Sequence, residues 1–190
     1  MNRRDALRVI GLALGTPVAP AVARAVLAGL TAPAGQALRT LTPEQGELLA
    51  TLTELIIPAT DTPGARAARV HLFIDSLLTD IFTGDERDHF LAGLADVDGR
   101  ARAAAGAPFL VSTPAQQVAV LQGMEQEAFK AAGDAPPPFF PWLKELTLVG
   151  YYTSEVGATQ ELKYAHVTGY YDGNVPYARI GRAYSYDHPS

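Results

Sequence analysis

T-P-E-Q-G-E-L-L-A-T-L-T-E-L-I-I-P-A-T-D-T-P-G-A, residues Thr42 to Ala65, decides the fold. Thr42 places a hydroxyl at a helix N-cap, Pro43 suits the first helical position and Gln45 stands three residues after the cap. Leu48, Leu49, Leu52, Leu55 and Ile56 then recur at helical spacing. Pro58 disfavours α geometry in the residue before it, so the helix is expected to stop near Ile57. In the segment that follows, Thr60, Asp61 and Thr62 can each bond to nearby backbone, and Pro63-Gly64 favours a tight turn. Five such residues in series exceed what a simple interhelical turn needs. A docking loop and a self-satisfied turn both remain open on this pattern.

Downstream the apolar periodicity continues. Val70, Phe73, Ile74, Leu77, Leu78 and Ile81 form one stripe, which predicts a second helix ended by Gly84. A third helix is expected from about Asp85 to Ala105, with Phe90, Leu91, Leu94 and Val97 inward. Asp85-Glu86-Arg87-Asp88 opens it, where acids complement the helix dipole. Gly106-Ala107-Pro108 breaks the chain. Thr113-Pro114-Ala115-Gln116 repeats the capping signature of Thr42 and starts a fourth helix carrying Val118, Leu121, Met124, Ala128 and Phe129. After the proline-rich link Gly133 to Pro138, the aromatic run Phe139 to Tyr152 predicts a fifth helix with a broad apolar face.

Periodicity fades after Thr153. Gly157, Gly169, Gly173, Pro176 and Gly181 punctuate a tail that holds six tyrosines, at 164, 170, 171, 177, 184 and 186. Such a tail cannot build a core, yet it is too aromatic for simple disorder. It is expected to lie across a surface, of its own domain or of another chain, because tyrosine buries a rigid ring while keeping a hydroxyl for bonding. The expected architecture is therefore all-α: one domain of about five helices with a long, irregular C-terminal arm. The domain is expected to span residues 35–190, with order beginning at Thr42.

Upstream, Leu27 to Thr40 is rich in Ala, Gly and Pro and reads as a linker. The chain opens M-N-R-R-D-A-L-R, and Val9 to Ala23 carries no charge. Cations held at the inner membrane face before an apolar segment make the layout of an export signal, and adjacent Arg3 and Arg4 point to the twin-arginine route. That route carries folded cargo. The apolar stretch is shorter than the roughly 20 residues of a bilayer-spanning helix, and Gly11, Gly15, Pro17 and Pro20 weaken it further as a span. Ala21 and Ala23 make one small-x-small cleavage site, Ala32 and Ala34 a second, and the sequence does not choose between them. Residues 1–34 thus read as signal and linker, and the expected location is the periplasm.

The chain has 190 residues, 48% of them hydrophobic, with a net charge of −5. Loss of Met1 to Ala23 removes Arg3, Arg4, Arg8 and Asp5, a change of −2 that leaves −7. A chain this acidic has no electrostatic footprint for nucleic acid. There is no cysteine, which excludes disulfides, thiol nucleophiles and thiolate-held metals. No G-x-G-x-x-G and no phosphate loop occur. Ser154 and Glu155 have no elbow motif and no histidine set around them. His71 and Asp75, four apart on the second helix, read as a helix-surface pair; a metal site would need Asp61, Asp80 or His89 brought to them by the fold. His166 and His188 have no spaced partner.

The run Leu55-Ile56-Ile57-Pro58-Ala59-Thr60-Asp61-Thr62-Pro63-Gly64-Ala65, followed by Val70 and Phe73-Ile74-Asp75, resembles the gluconate 2-dehydrogenase subunit 3 family. Gly150-Tyr151-Tyr152-Thr153-Ser154-Glu155-Val156-Gly157-Ala158 is similar to a second hallmark of that family, and Tyr170-Tyr171-Asp172-Gly173-Asn174-Val175-Pro176 to its closing segment. The resemblance implies a noncatalytic small subunit of a sugar, sugar-acid or polyol dehydrogenase. On that reading FAD and catalysis reside in a separate large subunit of the glucose-methanol-choline class, and this chain itself holds no cofactor or metal. In many such complexes a multihaem cytochrome c subunit takes the electrons, and the complex can attach to the inner membrane. The small subunit stabilises the large one and, through Arg3, Arg4 and the twin-arginine translocase, carries it out. Thr60, Asp61, Thr62, Pro63 and Gly64, with Tyr151, Tyr152, Glu155, Tyr170, Tyr171, Asp172 and Pro176, are then the expected contacts to the large subunit. Two other readings stand beside it: a stand-alone periplasmic enzyme using Asp61, His71, Asp75 and Glu155 around a metal or sugar, and an envelope structural or binding protein.

Overall fold

The structure is a computed structural model and describes residues 37–130, 138–165 and 174–186. It is an all-α domain of five main helices followed by a C-terminal arm: α1 Pro43–Ile56, α2 Val70–Asp80, α3 Gly84–Ala105, α4 Pro114–Lys130 and α5 Phe139–Tyr152. Among the described residues, none of these helices is long and apolar enough to cross a membrane. The arm after α5 carries a π-helical turn at Gly157–Glu161 and a four-residue helix α6, Tyr177–Ile180. A parallel pair, β1 Lys163–Ala165 and β2 Tyr184–Tyr186, is in register from Lys163 opposite Tyr184 to Ala165 opposite Tyr186.

Three of the helix starts, those of α1, α3 and α4, follow from threonine caps. The Thr42 hydroxyl accepts from Gln45 N–H at 3.2 Å, and the Gln45 side chain accepts from Thr42 N–H at 2.9 Å. Thr113 and Gln116 pair reciprocally in the same way. A third box, Thr83 with Glu86, caps α3. Gly84 is therefore the first residue of α3 rather than the stop of α2, which ends at Asp80. Gly106 closes α3 in the left-handed conformation, φ 71°.

α5 is the central helix and packs against α1, α2, α3 and α4. Leu143 and Leu146 are completely buried on it. At its N-terminal end Trp142 stacks on Phe82 at 5.0 Å and meets Phe90 edge-on at 5.6 Å, while Phe90 meets Phe139 at 5.2 Å. Burial of rings of this size, together with Leu49, Leu52, Ile74, Leu77, Leu78 and Leu94, dominates the stability of the domain. The stripe of α4 is narrower than its sequence implies. Leu121 and Met124 are buried, but Val118 is 41% and Phe129 84% exposed. The two lie off the Leu121/Met124 line, and α3 and α5 cover that line only.

Order begins before α1, inside the segment whose composition reads as a linker. Asp75, on α2, is only 2% exposed and accepts three backbone N–H bonds, from Arg39 at 2.7 Å, Thr40 at 3.0 Å and Leu41 at 2.8 Å. Asp75 is thus a core anchor and not half of a helix-surface pair with His71. The Thr40 and Thr79 hydroxyls meet at 2.7 Å, and Arg39 pairs with Asp80. Leu41 enters the core and Leu38 packs beside it, in a space left by Gly46. Sequence spacing carries no sign of this because the bonds span 34 to 36 residues and use backbone donors.

Replacing Asp75 with Ala is expected to lower stability by roughly 2–4 kcal/mol, since three buried or half-buried donors lose a charged acceptor. Chemical denaturation of the purified chain reads this directly, and hydrogen exchange at Leu41 N–H is expected to accelerate in the same variant.

Candidate functional site

The loop between α1 and α2 is held largely by groups that lie outside it. The Glu54 carboxylate, near the end of α1, accepts from Ala59 N–H at 2.9 Å and from Arg66 N–H at 2.8 Å. It thereby bridges the two ends of the Thr60–Gly64 segment. Ala65 N–H reaches Ile57 O at 2.9 Å, and within the loop Thr60 N–H reaches Thr62 O at 2.9 Å. Arg66 grips Glu47 with two bonds of 2.9 and 3.0 Å and keeps the Glu47 carboxyl below its usual range. Gly64 is required at its position: a Cβ there would lie 2.5 Å from the Glu54 carboxylate and 2.6 Å from Ala59 N. After this loop Arg69 adopts a left-handed conformation, φ 56°, and turns the chain into α2.

The second hallmark stretch supplies the floor. Tyr151, in the last turn of α5, is 1% exposed, and its hydroxyl donates to Pro63 O at 2.8 Å. Burial pushes its ionisation up from the usual phenol value. This corrects the expectation that Tyr151 offers its ring to another chain: the ring is inside, under the loop. Ser154 closes the end of α5 locally, donating to Tyr151 O at 2.6 Å and accepting from Gly157 N–H at 3.0 Å. Gly157 must be glycine, because a Cβ would run into the Tyr151 carbonyl oxygen.

The arm closes the far side. Thr62, 8% exposed, donates to Glu161 at 2.5 Å. Arg182 donates to Gln160 O at 2.6 Å and pairs with Asp61. Lys163 N–H reaches Ala183 O at 2.8 Å and starts the β1–β2 ladder. The described part of the arm thus returns to its own domain. The loop is neither bare nor a self-contained turn; Glu54, Tyr151, Glu161 and Arg182 fix it across up to 121 residues of sequence.

Of the residues expected to meet a partner, Thr60, Asp61, Tyr152 and Glu155 are exposed, and so is Pro176 on the arm. Thr62 and Gly64 are buried and Pro63 is half-buried. Tyr170, Tyr171 and Asp172, with Arg3 and Arg4 of the export signal, lie outside the described residues. Tyr152 is 41% exposed and meets the Tyr151 ring edge-on at 5.3 Å, so a buried ring orients an accessible one. A separate open groove of about 340 Å³ lies between α4 and α5, lined by Phe129, Phe140 and Leu148, with the Lys144–Glu125 ion pair at 2.6 Å on its rim. No sequence motif points to it.

Two residues of the enzyme reading, Asp61 and Asp75, are engaged elsewhere. Asp75 holds backbone N–H groups, Asp61 pairs with Arg182, and burial among neighbouring charges, Arg66 included, pushes His71 below its usual value. Among the described residues, no group of three or more acidic or histidine side chains is placed to hold a metal ion.

These features define a small helical domain whose most built feature is a locked interhelical loop with a polar and aromatic outer face. The chain matches the family described as Gluconate 2-dehydrogenase subunit 3 over residues 43–169, and it belongs to that family. Neither the curated proteins nor the solved structures contain a match to it. The matched span contains both the loop and the Tyr151 stretch that supports it.

Replacing Tyr151 with Phe keeps the ring and removes its one bond to the Pro63 carbonyl. Stability is expected to fall by about 1–2 kcal/mol in denaturant titration. An unchanged midpoint would mean that the hydroxyl does not hold the loop.

Proposed function

We propose that this chain is the noncatalytic small subunit of an FAD-dependent sugar, sugar-acid or polyol dehydrogenase. It stabilises the large flavin subunit and escorts it through the twin-arginine route to the periplasm. The observation that carries the reading is family membership across residues 43–169, joined to the Arg3-Arg4 start and the uncharged Val9 to Ala23 stretch. The large subunit would belong to the glucose-methanol-choline class and hold the FAD; a multihaem cytochrome c would accept its electrons.

The loop geometry supports this division of labour. A rigid loop presents Thr60 and Asp61 in a fixed conformation, so little conformational freedom is lost when a partner covers it. Tyr152 adds an accessible aromatic ring, a residue type that anchors interfaces. The outer face of the loop, Tyr152 and Glu155 are the contacts we assign to the large subunit, with Tyr170, Tyr171, Asp172 and Pro176 of the arm. Thr62, Gly64 and Tyr151 act from beneath by holding that face.

The test is co-expression with the large subunit followed by fractionation. Changing Arg3 and Arg4 together to Lys is expected to strand both chains in the cytoplasm, with dehydrogenase activity retained there. Export of an active large subunit beside the Lys–Lys variant would refute the escort role.

A further inference from the structure

The arm carries a sheet edge. β1 and β2 form a parallel pair, and among the described residues the sheet has no third strand. Lys163 N–H bonds to Ala183 O at 2.8 Å, with Lys163 opposite Tyr184 and Tyr164 opposite Ser185. In a parallel ladder, successive residues of a strand turn their N–H and C=O groups to alternate sides. Ala183 faces β1, so Ser185 faces it too, and Tyr184 between them turns its backbone N–H and C=O away from β1. Those two groups belong to the outer edge of β2, at a residue 51% exposed. The Tyr184 ring stands on one face of the pair, where Lys163 Nζ lies 5.7 Å from its centroid. Two strands of three residues each are marginal as an isolated sheet, and parallel pairs normally sit inside larger ones. An edge of this kind is a template for a further strand.

The pair is tied to the loop face at both of its entries. Arg182, two residues before Tyr184, pairs with Asp61. Glu161, two residues before Lys163, accepts from Thr62. We propose that the outer edge of β2 receives an extended segment of the large flavin subunit, added as a third strand through Tyr184 N–H and C=O. This rests on the subunit role proposed above. The chemistry of the edge selects the conformation of its occupant: a helix spends its backbone groups internally, whereas an extended chain has donors and acceptors free at the ladder's spacing. Continuity with the loop assigned to the large subunit selects the source. A partner seated on Thr60 and Asp61 meets the Asp61–Arg182 pair, and the chain runs from Arg182 directly into β2. Main-chain pairing at Tyr184 then supplies affinity, and the neighbouring rings supply contact area.

Hydrogen exchange at Tyr184 N–H is measured by fragmentation mass spectrometry on the full chain, alone and bound to the large subunit with its FAD. Fast exchange in the free chain and slow exchange in the complex support the proposal. Protection already present in the free chain means that its own residues or a second copy cover the edge, and overturns it. A complex that leaves Tyr184 N–H fast overturns it as well, while the subunit role stands. Failure of the unaltered chain to bind the large subunit overturns both. Two variants separate backbone from ring. Tyr184→Ala removes the ring and keeps the N–H. Tyr184→Pro removes the N–H too, at an edge position whose neighbours, not itself, make the β1–β2 bonds. Both are expected to unfold cooperatively in denaturant. The Pro variant is expected to bind the large subunit about tenfold more weakly than the Ala variant, the worth of one main-chain bond. Equal affinity of the two overturns the edge pairing. If the Pro variant does not fold, the exchange comparison on the unaltered chain decides.

Discussion

Tyr151 lies under the loop that follows α1, and most of the domain's distinctive architecture depends on that placement. Its ring fills the end of the core while its hydroxyl meets Pro63 O, so one side chain joins the α1–α2 loop to the end of the central helix. Glu54 then bridges the loop ends, and Glu161 and Arg182 bind it from the arm. Loss of this part-buried bond would cost on the order of 1–2 kcal/mol, so the pairing favours one loop conformation. The glycines at 64 and 157 follow from the same crowding, one against Glu54 and Ala59, the other against the Tyr151 carbonyl.

The helices are legible in the sequence because their signals are local. Thr42-Pro43 with Gln45, the leucine spacing of α1 and the break at Pro58 describe events within a few residues of one another. The Thr83–Glu86 box is equally local, and reading Gly84 as a stop hides it. What cannot be read are contacts whose partners lie far apart in sequence. Asp75 has the spacing of a helix-surface acid, and only the fold places three backbone donors from residues 39–41 against it. Tyr151 and Tyr152 look alike in sequence, yet helix geometry sends the first inward and leaves the second accessible. The exposure of Phe129 has the same origin: the sequence groups it with Leu121 and Met124, but it lies off the line those two bury.

Two parts of the chain are thus fixed within one rigid body. The loop face, braced by Tyr151 and Glu54, is the surface we assign to the flavin subunit. The Asp75 anchor ties residues 39–41, at the start of the described domain, to α2. Both rest on a buried group satisfied by backbone atoms of a distant segment, and such contacts exist only after folding. That suits a chain whose proposed export route accepts folded cargo.

The measurement that tests the account most directly is hydrogen exchange on the small subunit, free and in complex with its large subunit. The account predicts new protection in the loop around Thr60 and Asp61 and in the Tyr152 to Glu155 turn, with little change at the α4–α5 groove around Phe129. Protection confined to that groove, or none anywhere in the domain, would contradict the assignment of the locked loop as the docking face.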